Sequence, residues 1–101
     1  MTLTDQLAAM DGTAVMDLTA GRVTFKVHYD QEQARGDNGQ PVRGDITGEY
    51  ELVRYGADDG EYGKVVFRQH VSPHGTSGHG NPHAKRWAAE RVSEAITRTA
   101  R

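Results

Sequence analysis

The chain has 101 residues, the size of one domain with a single hydrophobic core. It contains no cysteine, which excludes disulfides, thiolate metal sites and cysteine nucleophiles. The formal net charge is −2, but the first 61 residues carry five basic and twelve acidic side chains, whereas the last 40 carry seven and two. This asymmetry predicts a local basic field on a mildly acidic protein.

No segment has the composition of a targeting or membrane-spanning sequence. The first twenty residues lack the apolar run of a signal peptide, and no stretch reaches the roughly 20 apolar residues of a bilayer span. We therefore expect a cytoplasmic protein whose residues 1–101 form one α+β domain.

A short helix is expected at the start of the chain. Thr4 is a candidate N-cap, and the helix would then run from Asp5 to about Met10. The turn-forming pair Asp11-Gly12 would end it.

A β-hairpin follows this helix. Residues 13–19 and 22–30 alternate between apolar and polar side chains, with Ala20-Gly21 predicted as a two-residue turn. Six apolar residues then share one face, because the strand positions alternate between the two sides of a sheet. The predicted partners are Leu18 and Val23, Met16 and Phe25, and Ala14 and Val27.

A second hairpin is predicted after a long connection. Residues 31–44 are polar and rich in turn-forming residues, which predicts a mobile loop. Residues 45–55 and 62–71 then read as two strands around Asp59-Gly60. The predicted register opposes Leu52 to Phe67, Glu51 to Arg68 and Glu49 to His70, with Tyr50 and Val65 on the face of Leu52.

The last element is an amphipathic helix from about Pro82 to Thr99, with Asn81 as its N-cap. Its apolar stripe comprises Ala84, Ala88, Val92, Ala95, Ile96 and Thr99. The expected fold is α+β: a four-stranded antiparallel sheet of two hairpins, with a short N-terminal helix and a long C-terminal helix packed on one face.

Four of the five histidines lie close together around a glycine-rich loop, residues 72–81. His70, His74, His79 and His83 are spaced so that a loop could wrap them around one ion, and imidazoles are ligands for zinc. No carboxylate lies between Glu61 and Glu90, and the spacing matches no strong metal signature. Solvated loop histidines without a cofactor are the competing interpretation, and zinc is the alternative.

The end of the chain resembles a known RNA-binding family. Gly78-His79-Gly80 followed by Ala84-Lys85-Arg86-Trp87-Ala88-Ala89 is similar to the glycine-rich loop and final helix of double-stranded RNA-binding domains, and Tyr50-Glu51-Leu52-Val53 resembles their first strand. The resemblance covers residues 50–101. It implies an α+β fold and RNA contact through the start of the helix. The family's adjacent lysine pair is replaced here by Asn81-Pro82-His83, and only Lys85 matches.

The chain contains no recognisable catalytic motif, so the leading hypothesis is a small, non-enzymatic binding or regulatory protein that contacts a partner protein. Its size suits a phage or mobile-element accessory factor, as a monomer or a homodimer. The expected contact residues are His74, His79, His83, Trp87, Arg91 and Arg98, since tryptophan and arginine are enriched at binding hot spots.

The alternative hypothesis is a nucleic-acid-binding module that uses the basic C-terminal helix. Its phosphate contacts would come from five cationic side chains along that helix. These are Lys85, Arg86, Arg91, Arg98 and Arg101.

Overall fold

A computed structural model describes residues 1–56, 63–71 and 81–100, without the side chains of residues 33–34, 41–46 and 81–83. The elements are α1 (Leu3–Ala8), β1 (Thr13–Ala20), β2 (Val23–Arg35), β3 (Pro41–Tyr55), β4 (Lys64–Val71) and α2 (Asn81–Thr99). The strands form one antiparallel sheet in the order β1-β2-β3-β4. Helix α2 packs against β3, β4 and α1. The predicted fold class is therefore confirmed.

The hydrophobic core lies between the two helices and one face of the sheet, the core face. Apolar side chains recur at alternate positions of the strands and meet one side of α2, which is the pattern of a two-layer sandwich. The buried residues of this core are Leu7, Met10, Phe25, Val27, Tyr29, Tyr50, Leu52, Val71, Ala84, Ala88, Ala89, Val92, Ala95 and Ile96. The opposite face of the sheet, the open face, carries most of the charged strand residues.

Helix α1 begins two residues earlier than predicted. Thr2 is the N-cap: its hydroxyl accepts from the backbone N–H of Asp5 at 3.1 Å, and the Asp5 carboxylate accepts from the backbone N–H of Thr2 at 3.0 Å. This reciprocal capping box needs an acceptor three residues after the cap. Thr4 would place the apolar Leu7 at that position, so the prediction of Thr4 as the cap is wrong.

The first hairpin has the predicted faces but a different register. Its turn is Gly21-Arg22, so Ala20 opposes Val23, Leu18 opposes Phe25 and Met16 opposes Val27. The predicted register was wrong, because each residue of β1 lies opposite a β2 residue two positions later than predicted. A shift of two residues leaves every side chain on its predicted face. Gly21 has φ +63°, and a two-residue turn with glycine first and φ positive is a favoured hairpin geometry.

The segment expected to be a mobile loop, residues 31–44, is largely β-structure. Strand β2 continues to Arg35 and β3 begins at Pro41, so the turn is limited to residues 36–40. Gly36 N–H donates to the Gln40 carbonyl at 2.8 Å and closes the turn. The prediction of a loop rested on polar composition and is wrong, because backbone hydrogen bonds can extend a two-stranded ribbon whose sequence is polar.

The second hairpin has the predicted register at its centre. Leu52 opposes Phe67, Glu51 opposes Arg68 and Glu49 opposes His70. The register then shifts, so that Val53 opposes Val65. This bulge places Val65 on the open face, where it is 39% exposed. The prediction that Val65 shares the face of Leu52 is therefore wrong.

Helix α2 buries the predicted stripe almost completely. Ala84, Ala88, Val92, Ala95 and Ile96 are buried, and Thr99 is half-buried with its hydroxyl donating to the Ala95 carbonyl at 2.6 Å. Ala89 is also buried. Because α1 packs beside α2, the buried face is wider than a sheet alone would require.

Candidate functional site

An exposed row of side chains follows one flank of α2. Successive members are four, three and four residues apart, so at about 100° per residue they lie along one side of the helix. We call this row the outer stripe. It consists of Trp87, Arg91, Glu94 and Arg98, and all four residues are exposed.

Trp87 is the principal apolar group of the outer stripe. Its residue surface is 47% exposed, although tryptophan is a large side chain that folding ordinarily buries to a greater extent. The Arg91 guanidinium lies over the indole, 5.9 Å from the ring centroid. This cation–π contact holds an apolar surface and a positive charge side by side.

The rest of the stripe adds charge of both signs. An Arg91 nitrogen lies 3.9 Å from a Glu94 carboxylate oxygen, a loose ion pair between two exposed side chains. Arg98 lies one turn further along and makes no ion pair with any residue that the structure describes. Three of the residues expected to bind a partner, Trp87, Arg91 and Arg98, therefore share one surface.

The opposite flank of α2 is occupied by α1 and the segment that follows it. Lys85 is half-buried, and its ammonium donates to the Met10 carbonyl and lies 5.0 Å from the centroid of the Tyr29 ring. Burial lowers the pKa of Lys85, and the nearby Asp11 carboxylate opposes that shift. Lys85 therefore links α2 to the segment after α1 and to β2.

Arg86 makes a second link between the helices. Its guanidinium donates to the Asp5 carboxylate at 3.0 Å and lies 3.9 Å from Glu90. Hydrogen bonds from Thr2 and then Arg86 lower the pKa of Asp5 to about 2. Both cations at the start of α2 thus have partners within the protein.

The residues proposed for nucleic-acid contact are consequently divided. Lys85 and Arg86 lie on the flank of α2 that faces α1, whereas Arg91 and Arg98 lie on the outer stripe. Arg101 lies outside the described residues. The described cations do not form the continuous basic track that follows a phosphate backbone.

The proposed histidine cluster falls largely outside the described residues. This is the case for His74 and His79, and for the side chain of His83. His70 is exposed on the open face, opposite Glu49. Among the described residues, no three histidine or carboxylate side chains come together as metal ligands. Zinc binding stays a prediction.

A polar cluster beneath α1 has no counterpart in the sequence analysis. The rings of Tyr29 and Tyr50 lie 4.4 Å apart between centroids, at an angle of 37°. Tyr50 donates to the Leu7 carbonyl at 2.7 Å, and Tyr29 donates to the Gln31 side chain at 2.5 Å. Burial raises the pKa of Tyr29 to about 12 and that of Tyr50 further still. Both tyrosines are thus neutral hydrogen-bond donors that anchor neighbouring segments.

Replacing Tyr50 by phenylalanine should lower the free energy of unfolding by about 1 kcal/mol, because a buried hydrogen bond to α1 is lost while the ring still fills its site. Chemical denaturation measures the change. Tyr55→Phe is the control, since Tyr55 lies on the open face, and it should change the free energy by less than about 0.5 kcal/mol. Equal losses in both variants would contradict an anchoring role for Tyr50.

Neither described helix combines the length and the apolar composition that a membrane span requires. A comparison of the chain with protein-family models, curated proteins and solved structures finds no significant match. The resemblance to double-stranded RNA-binding domains therefore stays a prediction.

Proposed function

We propose that this protein is a small, non-enzymatic binding protein that contacts a partner protein through the outer stripe of α2. The observation that carries the proposal is the 47% exposure of Trp87 beside Arg91 and Arg98. Covering roughly 100 Å² of indole surface contributes about 2 kcal/mol to association, which is the size of a binding hot spot.

The chemistry of the stripe defines the kind of partner. An apolar pocket would receive the indole, and carboxylates at the rim of that pocket would pair with Arg91 and Arg98. Arginine suits this role because its planar guanidinium binds carboxylates in a bidentate manner. Glu94 partly neutralises Arg91 in the free protein and adds a negative group that selects against uniformly acidic partners.

A protein partner is favoured over a nucleic acid by the roles of the other cations. Lys85 donates to the Met10 carbonyl, Arg86 pairs with Asp5 in α1, and the whole chain has a net charge of −2. A nucleic-acid ligand depends on accessible cations, and its affinity falls steeply as salt rises. The mixed apolar and charged stripe fits the composition of protein–protein interfaces.

Capture from a lysate of the source cells, with and without nuclease, identifies the partner for quantitative work. Trp87→Ala should then weaken binding of the purified partner about 30-fold, the factor that corresponds to about 2 kcal/mol. Arg98→Ala should weaken it less, because a rim cation contributes less than a buried aromatic group. Isothermal titration calorimetry measures each dissociation constant.

Two substitutions on the open face serve as controls. Val65→Ala truncates an exposed apolar side chain, and Arg68→Ala removes an exposed arginine whose guanidinium lies 3.1 Å from Glu51. Both should leave the affinity unchanged. Circular dichroism checks that every variant is folded. A folded Trp87→Ala variant that binds with wild-type affinity would refute this assignment of the surface.

The sole tryptophan gives an independent readout. If the indole enters a pocket of the partner, its fluorescence emission should shift to shorter wavelength as the partner is titrated. The shift should saturate at the same concentration as the binding heat. Saturable binding with no change in tryptophan emission would show that the partner contacts another surface.

A further inference from the structure

Strand β1 is an edge of the sheet with a defined set of outward-facing backbone groups. It pairs with β2 and with no other strand that the structure describes. The two-residue turn is closed by the Ala20–Val23 pair, which in such hairpins is hydrogen-bonded. Hydrogen-bonded and non-hydrogen-bonded pairs then alternate along β1 and β2, so the backbone groups of the even-numbered residues of β1 point toward β2. The outward N–H and C=O groups are therefore those of Thr13, Val15, Asp17 and Thr19.

This edge has few of the features that keep exposed strands from pairing. Edge strands are ordinarily protected by lysine, proline or a bulge. Strand β1 has none of these, and its one charged residue is Asp17. The other edge, β4, carries Lys64 and Arg68 and the bulge beside Val65. Of the two sheet edges that the structure describes, β1 is therefore the one better suited to pair with another strand.

Apolar side chains accompany the free backbone groups. Helix α2 packs over β3 and β4, so the core-face residues of β1 are covered only in part. Ala14, Met16, Leu18 and Ala20 are half-buried. On the open face, Val15 is 54% exposed. Extending the sheet beyond β1 would cover apolar side chains on both faces.

We propose that β1 pairs antiparallel with β1 of a second copy of this chain, with Met16 opposite its own equivalent. The outward-facing backbone groups all belong to odd-numbered residues. To form hydrogen bonds between the copies, the odd-numbered residues of one β1 must therefore lie opposite odd-numbered residues of the other. Centring the twofold axis on Met16 pairs Thr13 with Thr19 and Val15 with Asp17, and it places Ala14 beside Leu18.

Competing symmetric registers are weaker. Centring on Asp17 opposes two carboxylates, and like charges directly opposite each other destabilise a sheet pair. Centring on Val15 pairs fewer residues of β1. The Met16 register pairs seven residues of each copy, as the Asp17 register does, but it also keeps the two Asp17 side chains apart and joins the apolar strips of both copies.

The dimer is a continuous eight-stranded sheet with the helices of both copies on one face. A twofold contact of this kind is closed, so it ends at two chains. The outer stripe lies on α2, which packs mainly against β3, β4 and α1, and each copy presents it once. Dimerisation through β1 does not depend on the proposed partner.

The absence of cysteine in the natural chain allows a direct test of the register. Met16 occupies a position without hydrogen bonds across the new ladder, where opposed Cα atoms lie about 4.5 Å apart, a distance that a disulfide spans. Met16→Cys with diamide as the oxidant should therefore give a covalent dimer on a non-reducing gel. Asp17→Cys is the matched control on the same strand, because it opposes Val15 and should stay monomeric.

The strength of the dimer is tested without any cross-link. Sedimentation equilibrium of the untagged wild-type chain should give twice the mass of one chain across the micromolar range. Met16→Lys should raise the dissociation constant at least about tenfold, since two ammonium groups then oppose each other. Mixing M16K with the Met16→Glu variant should restore the dimer. Val65→Lys, on β4, should leave it intact.

Four outcomes would overturn the proposal. These are a monomeric wild-type chain throughout the concentration range, equal cross-linking of M16C and D17C, a dimer insensitive to M16K in a folded protein, and open-ended polymers disrupted by Val65→Lys. The last result would indicate head-to-tail pairing of β1 with β4. If M16K fails to fold, the cross-linking comparison alone decides the register.

Discussion

Replacing Leu52 by alanine should lower the free energy of unfolding by about 2–5 kcal/mol, the usual cost of removing a fully buried leucine side chain. Leu52 has no exposed surface and lies between Val27 on β2 and Phe67 on β4. Truncation there leaves a cavity beneath α2, because neighbours held on three strands move inward only in part. Urea denaturation followed by circular dichroism measures the loss.

The control for Leu52 is Val65→Ala. Val65 was predicted to share the face of Leu52, but the bulge places it on the open face, 39% exposed. Its truncation should cost less than about 1 kcal/mol. Comparable losses at the two positions would mean that the sheet is buried on both faces, in disagreement with the structure.

Replacing Gly63 by alanine should lower the free energy of unfolding by about 2–4 kcal/mol, from backbone strain and from crowding. The φ angle of Gly63 is +75°, a conformation that residues with a Cβ atom adopt at a cost. An added Cβ would lie 2.7 Å from Val53 Cγ1, 2.8 Å from Tyr55 Cε1 and 3.0 Å from the Arg54 carbonyl oxygen. The backbone oxygen in particular cannot move without disturbing β3.

Gly39→Ala separates the two contributions to the Gly63 effect. Gly39 has a similar φ of +78°, but an added Cβ there meets no atom within 4 Å. Its substitution should therefore cost only the conformational strain, about 1–2 kcal/mol. Thermal and urea denaturation of both variants measure the difference. If Gly63→Ala lowers the free energy of unfolding no more than Gly39→Ala does, then Gly63 does not lie as close to β3 as the structure places it.

The faces of the secondary-structure elements could be predicted from the sequence because burial follows their periodicity. Alternation along residues 13–30 identified the core-facing residues of the first hairpin, and the spacing from Ala84 to Ile96 identified the buried side of α2. The central register of β3 and β4 was also predictable, since it opposes Glu51 to Arg68 and their side chains form an ion pair of 3.1 Å.

The exact pairing of β1 with β2 could not be obtained in this way. Moving one strand by two residues returns every side chain to its original face, so the apolar pattern accepts both registers. The φ of Gly21 and the hydrogen-bonded closure of the turn decide between them. Likewise, no side-chain pattern revealed that the β2–β3 ribbon continues through residues 31–35, because backbone hydrogen bonds determine its length.

For the candidate site, the sequence by itself determined that Trp87, Arg91 and Arg98 share one side of a helix, because helical spacing depends only on chain geometry. The tertiary structure decided which cations are engaged within the protein. Lys85 donates to the carbonyl of Met10, just after α1, and Arg86 pairs with Asp5 in α1, since the N-terminal segment occupies that flank of α2. Residues far apart in the chain meet there, and no local pattern encodes their contact.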